Sequence, residues 1–193
     1  MRTSQMDVFD VIRTRRSVGQ FKPDPVPAEV IRELLDTTVF APNHRLTEPW
    51  AFYVLGPESK RRFAEIRRNA RRDALPDPHA PEAQPALQKL YDTTLQTPVI
   101  IVFTAAGHPD PEVKEENEWA TFGAAYAFML GAWAKGIGTY FRTGRGVLGS
   151  PELRALLALP PDRRIIGVVY AGYPETVPQK KRTPAAEKTV WLP

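Results

Sequence analysis

Gly136-Ile137-Gly138-Thr139-Tyr140-Phe141-Arg142-Thr143 stands between the longest helix-patterned stretch of the chain and a short β-patterned one. Two glycines at this spacing invite comparison with a dinucleotide fingerprint, in which a strand comes before the glycines and a helix after them. Here the order is reversed and the third glycine is missing, so that reading fails on polarity. Residues 115–135 come first, polar through Glu115, Glu116, Asn117 and Glu118, then almost wholly apolar from Trp119 to Ala134. The early carboxylates complement the dipole of a helix, and Gly136 ends it. A helix apolar on all sides has to be buried, either centrally or in a subunit interface. Thr139 to Arg142 then reads as a strand.

Working outward, Pro98-Val99-Ile100-Ile101-Val102-Phe103-Thr104 is a continuous apolar run, the pattern of a strand buried on both faces. Residues 50–55, aromatic and β-branched and stopped by Gly56-Pro57, form the first strand, and Ile165 to Ala171 the fourth. Two helices precede the sheet. Ser4-x-x-Asp7 has the form of a capping box, with Val8, Val11 and Ile12 on one face of a helix ending around Arg15. Pro27 fits the first turn of the second, whose Val30, Ile31, Leu34, Leu35 and Thr38 share a face until Ala41-Pro42 terminates it. A helix over 58–74, a Pro-interrupted loop over 75–85, a short helix near 86–95 and another opened by Ser150-Pro151-Glu152 complete the pass. With two helices ahead of the first strand, regular βαβ units do not fit. The expectation is an α+β fold, a mixed β-sheet flanked by helices, in a single domain over residues 1–193.

At 193 residues and 42% hydrophobic content, one well-buried core is the natural outcome. Zero cysteines rule out disulfides, thiolate nucleophiles and iron–sulfur clusters. His44, His79 and His108 all lie in Pro-rich or turn-like contexts, a poor start for a metal site. Redox chemistry would then need a borrowed cofactor. The N-terminus lacks an apolar signal region and the apolar part of 119–134 is too short to span a bilayer, so a cytoplasmic protein with no membrane partner is expected. The net charge of +4 and pI near 9.4 suit anionic ligands such as phosphates. The basic run Lys60-Arg61-Arg62 with Arg67, Arg68, Arg71 and Arg72 reads as a solvated helix face. No nucleic-acid motif accompanies it.

Three patches carry candidate chemistry. Arg15 and Arg16, followed by Ser17, offer planar forks and a hydroxyl for an oxyanion, or else complement the end of the first helix. Ala41-Pro42-Asn43-His44 leads to Glu48-Pro49-Trp50, and His44 is either a ligand or a solvated loop residue. In Phe141-Arg142-Thr143, a buried Arg142 without an anionic partner would be costly, so a ligand or a salt bridge has to be near. Lys180-Lys181-Arg182 after Gly172-Tyr173-Pro174 is a basic cluster in an extended tail.

Taken in this order and at these separations, the patches resemble the flavin-binding segments of the nitroreductase family, over nearly the whole chain. The resemblance implies FMN as cofactor and NADH or NADPH as electron donor. It implies a homodimer with two interface sites and a small-molecule electron acceptor such as a nitroaromatic or quinone, reduced in ping-pong order. It assigns Arg15, Arg16, Ser17, Phe141, Arg142 and Thr143 to the flavin, Phe40 and His44 to the flavin bound mainly by the partner, and Lys180 and Arg182 to its phosphate. No protein nucleophile or dedicated base is implied. Many relatives carry Lys or Arg where this chain has Gly19, which bears on charge stabilisation of the reduced ring. Related readings are a flavin enzyme acting on another substrate, a flavin-binding storage or sensor protein, and, lowest, a basic flavin-free module.

Overall fold

The structure, a computed structural model, describes residues 6–193. Helix α1 (Val8–Thr14) starts at Asp7, whose carboxylate accepts from the Phe9 N–H at 2.8 Å. Ser4 lies outside the described residues. Of the expected apolar face of α1 only Val11 is buried, while Val8, Phe9 and Ile12 are exposed. Helix α2 (Ala28–Thr38) is capped by Pro27 and buries Ile31, Leu34 and Thr38. Strand β1 (Trp50–Val54) and helix α3 (Pro57–Asp73) follow, then α4 (Gln84–Leu95), strand β2 (Val99–Ala105), helix α5 (Pro111–Ala134) and strand β3 (Gly138–Arg142). Two short helices, α6 (Arg145–Leu148) and α7 (Pro151–Leu156), precede strand β4 (Arg164–Gly172).

The four strands form one sheet in the order β1-β2-β4-β3, with every neighbouring pair antiparallel. The parallel element is an isolated bridge from Ser17 to Thr139 along the outer side of β3. All seven residues of β2 are buried, as its unbroken apolar run requires. Alternation along the strands divides the core. Ile101, Phe103, Val169 and Phe141 face α2 and α5, where Phe103 and Phe128 meet edge to face. Ile100, Val102, Val168, Tyr140 and Tyr170 face α3 and α7, together with Phe63 and Leu153. The result is three layers, with helices on both faces of the sheet.

The basic helix face is a correction to the expectation of simple solvation. Lys60 donates to the carbonyls of Thr97 and Pro98 at 2.7 and 2.9 Å, and burial holds its ammonium below the ordinary lysine value. Arg67 donates to the Thr94 hydroxyl, and Arg68 lies 5.0 Å from the Tyr91 ring centroid. These three pin α3 onto α4 and the start of β2. Arg61, Arg62 and Arg71 are the solvated members.

Candidate flavin site

Two glycines shape the strand at the centre of the site. A Cβ on Gly138 would lie 2.8 Å from Val18, so its absence lets the chain after α1 dock directly on β3. The Val18 N–H donates to the Thr139 carbonyl at 2.9 Å, which fixes Ser17 beside Thr139. A Cβ on Gly167 would meet the Phe141 ring at 2.2 Å, and the vacated space lets that ring lie over β4 and pack edge to face on Phe122, centroids 5.5 Å apart.

Arg15 leaves α1 in an extended conformation while its N–H still bonds the Val11 carbonyl at 2.9 Å. Its Nε is buried without a hydrogen-bond partner, as are the Nε of Arg16 and the hydroxyl of Thr139. Arg16 Nη1 donates to the carbonyls of Arg13 and Arg15 at 2.7 and 3.0 Å, so part of its fork serves the end of α1. Ser17 is exposed beside them. Buried donors without acceptors are uncommon, and these three belong to residues at or next to the bridge between Ser17 and the edge strand β3. Phosphate and hydroxyl oxygens of a flavin mononucleotide are the acceptors such a set fits.

The loop 43–48 carries the second patch and is strained. Arg45, Leu46 and Glu48 all have positive φ, at 59°, 51° and 41°. Its shape is over-determined by α5. His44 Nδ1 lies 2.9 Å from both carboxylate oxygens of Glu116, and the Thr47 hydroxyl donates to Asn117 Oδ1 at 2.9 Å. Asn117 in turn donates to the Ala106 carbonyl at 3.2 Å, and Asn43 Oδ1 accepts from the Glu48 N–H at 3.0 Å. With Nδ1 held by a carboxylate, the exposed side of the imidazole presents Nε2. Phe40, on the same stretch, is 85% exposed.

These two patches lie at opposite ends of α5. His44 is tied to Glu116, whereas the residue before Arg15 is tied to the other end, Trp133 Nε1 donating to the Thr14 hydroxyl at 2.9 Å. About 17 helical residues separate the anchors, roughly 25 Å at about 1.5 Å per residue. The face of α5 between them exposes Trp119, Phe122 and Tyr126.

The family model of the nitroreductase family matches residues 12–173. This chain belongs to the nitroreductase family. It is similar to the "Putative NAD(P)H nitroreductase YfhC" of Bacillus subtilis, with 32% identity covering 93% of this chain and 91% of that protein. Among solved structures it is similar to a nitroreductase-like family protein from Bacillus cereus, with a TM-score of 0.84 and 28% identity over 100% and 99% of the two chains. The FMN-dependent nitroreductase NfnB of Mycobacterium smegmatis, solved in complex with NADPH, shares the fold at a TM-score of 0.74 and 20% identity over 96% and 97%.

Within this nitroreductase chain, Arg15, Arg16 and Ser17 meet β3 at Thr139, and Phe141 and Thr143 lie toward its far end. Arg142 projects to the other face, with its guanidinium carbon 4.4 Å from the Tyr140 ring centroid and 4.9 Å from that of Tyr170. Phe40 and His44 stand apart from this group in one chain. Lys180 and Arg182 are exposed on the tail. Glu116 and Asn117 are the supporting residues that sequence reasoning missed; the available signal was an amide at the point where a helix turns apolar. Gly19 has room for a side chain, since a Cβ there would meet only the Tyr140 ring, at 3.8 Å.

Proposed function

We propose that the protein is an FMN-dependent oxidoreductase of the nitroreductase type, taking hydride from NADH or NADPH and passing electrons to a nitroaromatic, quinone or similar acceptor. The observation that carries this reading is that Arg15 Nε, Arg16 Nε and Thr139 Oγ1, all buried without a partner among the described residues, belong to residues at or next to the Ser17–Thr139 bridge. Arg15, Arg16 and Ser17 bind the phosphate and ribityl oxygens, and Phe141 and Thr143 at the strand end support the ring, while the Arg142 side chain turns to the other face. Bound FMN supplies the electron-carrying chemistry, so no protein nucleophile is needed. Lys180 and Arg182 add phosphate contacts from the tail.

The working unit in this proposal is a homodimer. A two-fold axis across the middle of α5 would cover Trp119, Phe122 and Tyr126 and bring Phe40 and His44 of one subunit toward Arg15 of the other. His44, its Nδ1 held by Glu116, then presents Nε2 to the flavin bound by its partner. Donor and acceptor take turns at the same opening, which gives ping-pong kinetics. No helix among the described residues is long and apolar enough to cross a membrane. A cytoplasmic protein working on small molecules is the companion proposal.

The deciding experiment is the absorbance spectrum of the purified protein, before and after added FMN, followed by anaerobic NADPH or NADH. Oxidised-flavin bands that bleach with the donor support the proposal. Failure to bind FMN at all overturns it.

A further inference from the structure

On the face of the sheet opposite α5, two guanidinium groups converge on one phenol. Arg142, from the end of β3, and Arg67, from α3, lie 4.9 and 5.3 Å from the Tyr170 ring centroid, and Arg142 also covers Tyr140. Neither arginine has an ion pair among the described residues. Their ring contacts satisfy the flat faces of the guanidiniums, not the N–H edges. Among the described residues Arg142 Nε is buried without a hydrogen-bond partner, Arg67 donates to the Thr94 hydroxyl, and the buried Tyr170 hydroxyl has the same Thr94 side chain beside it, short of full hydrogen-bond geometry. Thr94 is already committed, donating to the Leu90 carbonyl at 2.7 Å.

Two cations in a half-buried layer, with spare donors and no carboxylate, call for a counter-charge. Burial holds Arg67 below the ordinary arginine value, with Tyr170 opposing and the charge of Arg142 adding to the shift. Burial likewise keeps the Tyr170 phenol above the usual tyrosine value, so it remains a donor. Arg142 comes from an edge strand, which the Ser17 segment bridges at Thr139, near its beginning. Guanidinium pairs of this kind match the fork geometry of a phosphate group.

We propose that Arg67, Arg142 and the Tyr170 hydroxyl form a binding site for a phosphate-type oxyanion on the α3 side of the sheet. The site is built from side chains on the other face and is separate from the flavin contacts proposed for Arg15, Arg16 and Ser17. The anion is a free phosphate, and the test separates it from the phosphate of the flavin.

Inorganic phosphate is titrated calorimetrically into the FMN-loaded and the flavin-free full-length protein, both prepared in phosphate- and sulfate-free buffer. Saturable binding of one phosphate per chain in both forms identifies a free anion. Binding only to the flavin-free form, competing with FMN but not with riboflavin, makes this the flavin's own phosphate contact and overturns a separate site. At the separate site Arg67→Met and Tyr170→Phe should weaken phosphate binding at least tenfold, while Arg61→Met, on the solvated face of α3, leaves it unchanged. Tyr170→Phe removes only the hydroxyl and keeps the readout available if Arg67→Met does not fold. Absence of saturable binding to both forms, or unaltered affinity in Tyr170→Phe together with Arg67→Met or Arg142→Met, overturns the site.

Discussion

A dimer assembled from two differently damaged subunits provides a sharp test of the divided site. Because Arg15 and His44 are anchored roughly 25 Å apart along α5 at about 1.5 Å per residue, one subunit cannot bring both to one end of a flavin mononucleotide. Consider a mixed dimer of an Arg15→Ala subunit with a His44→Ala subunit. If each site takes Arg15 from one chain and His44 from the other, one site carries both lesions and the other carries none. Losing a hydrogen bond to a charged group costs about 1.5–3 kcal/mol, or about 10- to 150-fold in Kd. Each homodimeric variant should therefore show uniformly weakened FMN binding, followed by quenching of flavin fluorescence. The purified mixed dimer should show half its sites at the unmodified affinity and half far weaker. If both residues serve the flavin of their own chain, every site in the mixed dimer carries one lesion and no tight site survives. That result would refute the cross-subunit assignment and, with it, the placement of the two-fold axis across α5.

Four further outcomes are expected. Gly138→Ala places a Cβ 2.8 Å from Val18, so the Arg15–Ser17 segment must shift; a loss of about 1–3 kcal/mol in denaturant unfolding and weaker FMN retention are expected, and full retention would separate that segment from the flavin. Gly19→Lys fits sterically and adds a cation, so the flavin midpoint potential should rise by roughly 20–40 mV, about 1–2 kcal/mol for two electrons, as measured by anaerobic dye equilibration. Tyr126→Glu puts a charge on the exposed apolar face of α5 and should shift the protein to monomers in analytical ultracentrifugation, with loss of flavin; an unchanged dimer would place the interface elsewhere. The raised phenol value of Tyr170 has a defined sign. Above the ordinary tyrosine range the unfolded chain loses that proton first, so stability falls as pH rises toward the folded value, and Tyr170→Phe should flatten this decline in unfolding measured from pH 9 to 11.

Much of the layer structure was legible because it depends on local patterning. The unbroken apolar run in β2 required a strand covered on both faces, and residues 99–105 are covered by α5 on one side and by α3 and α7 on the other. The reversed polarity around Gly136 placed a helix before β3, and that held. The β1-β2-β4-β3 order was not legible, since it rests on pairings between distant segments. Helix α6, four residues between Gly144 and Gly149, is too short to show a period. The loop at 43–48 escaped for another reason. Its positive φ values fall on Arg45, Leu46 and Glu48, none of them a residue that advertises a left-handed turn, and they persist because Glu116 and Asn117 hold the loop from outside.

The exposed side of α1 is the mismatch that teaches most. Val8, Val11 and Ile12 have the spacing of a buried face, yet only Val11 is covered. Periodicity reports that a face is apolar; it does not report which molecule covers it. The same holds for α5, whose all-round apolar character could have meant a central position or an interface. The structure divides that choice along the helix: Ala124, Ala125, Phe128 and Ala132 are closed over by the core, while Trp119, Phe122 and Tyr126 stand open on another side. An apolar strip flanked at one end by an oriented His44 and at the other by the unpartnered Arg15 is what a two-fold partner would complete. The exposed apolar surface and the separation of the two half-sites thus have one common explanation, and a monomeric reading would need a separate one for each.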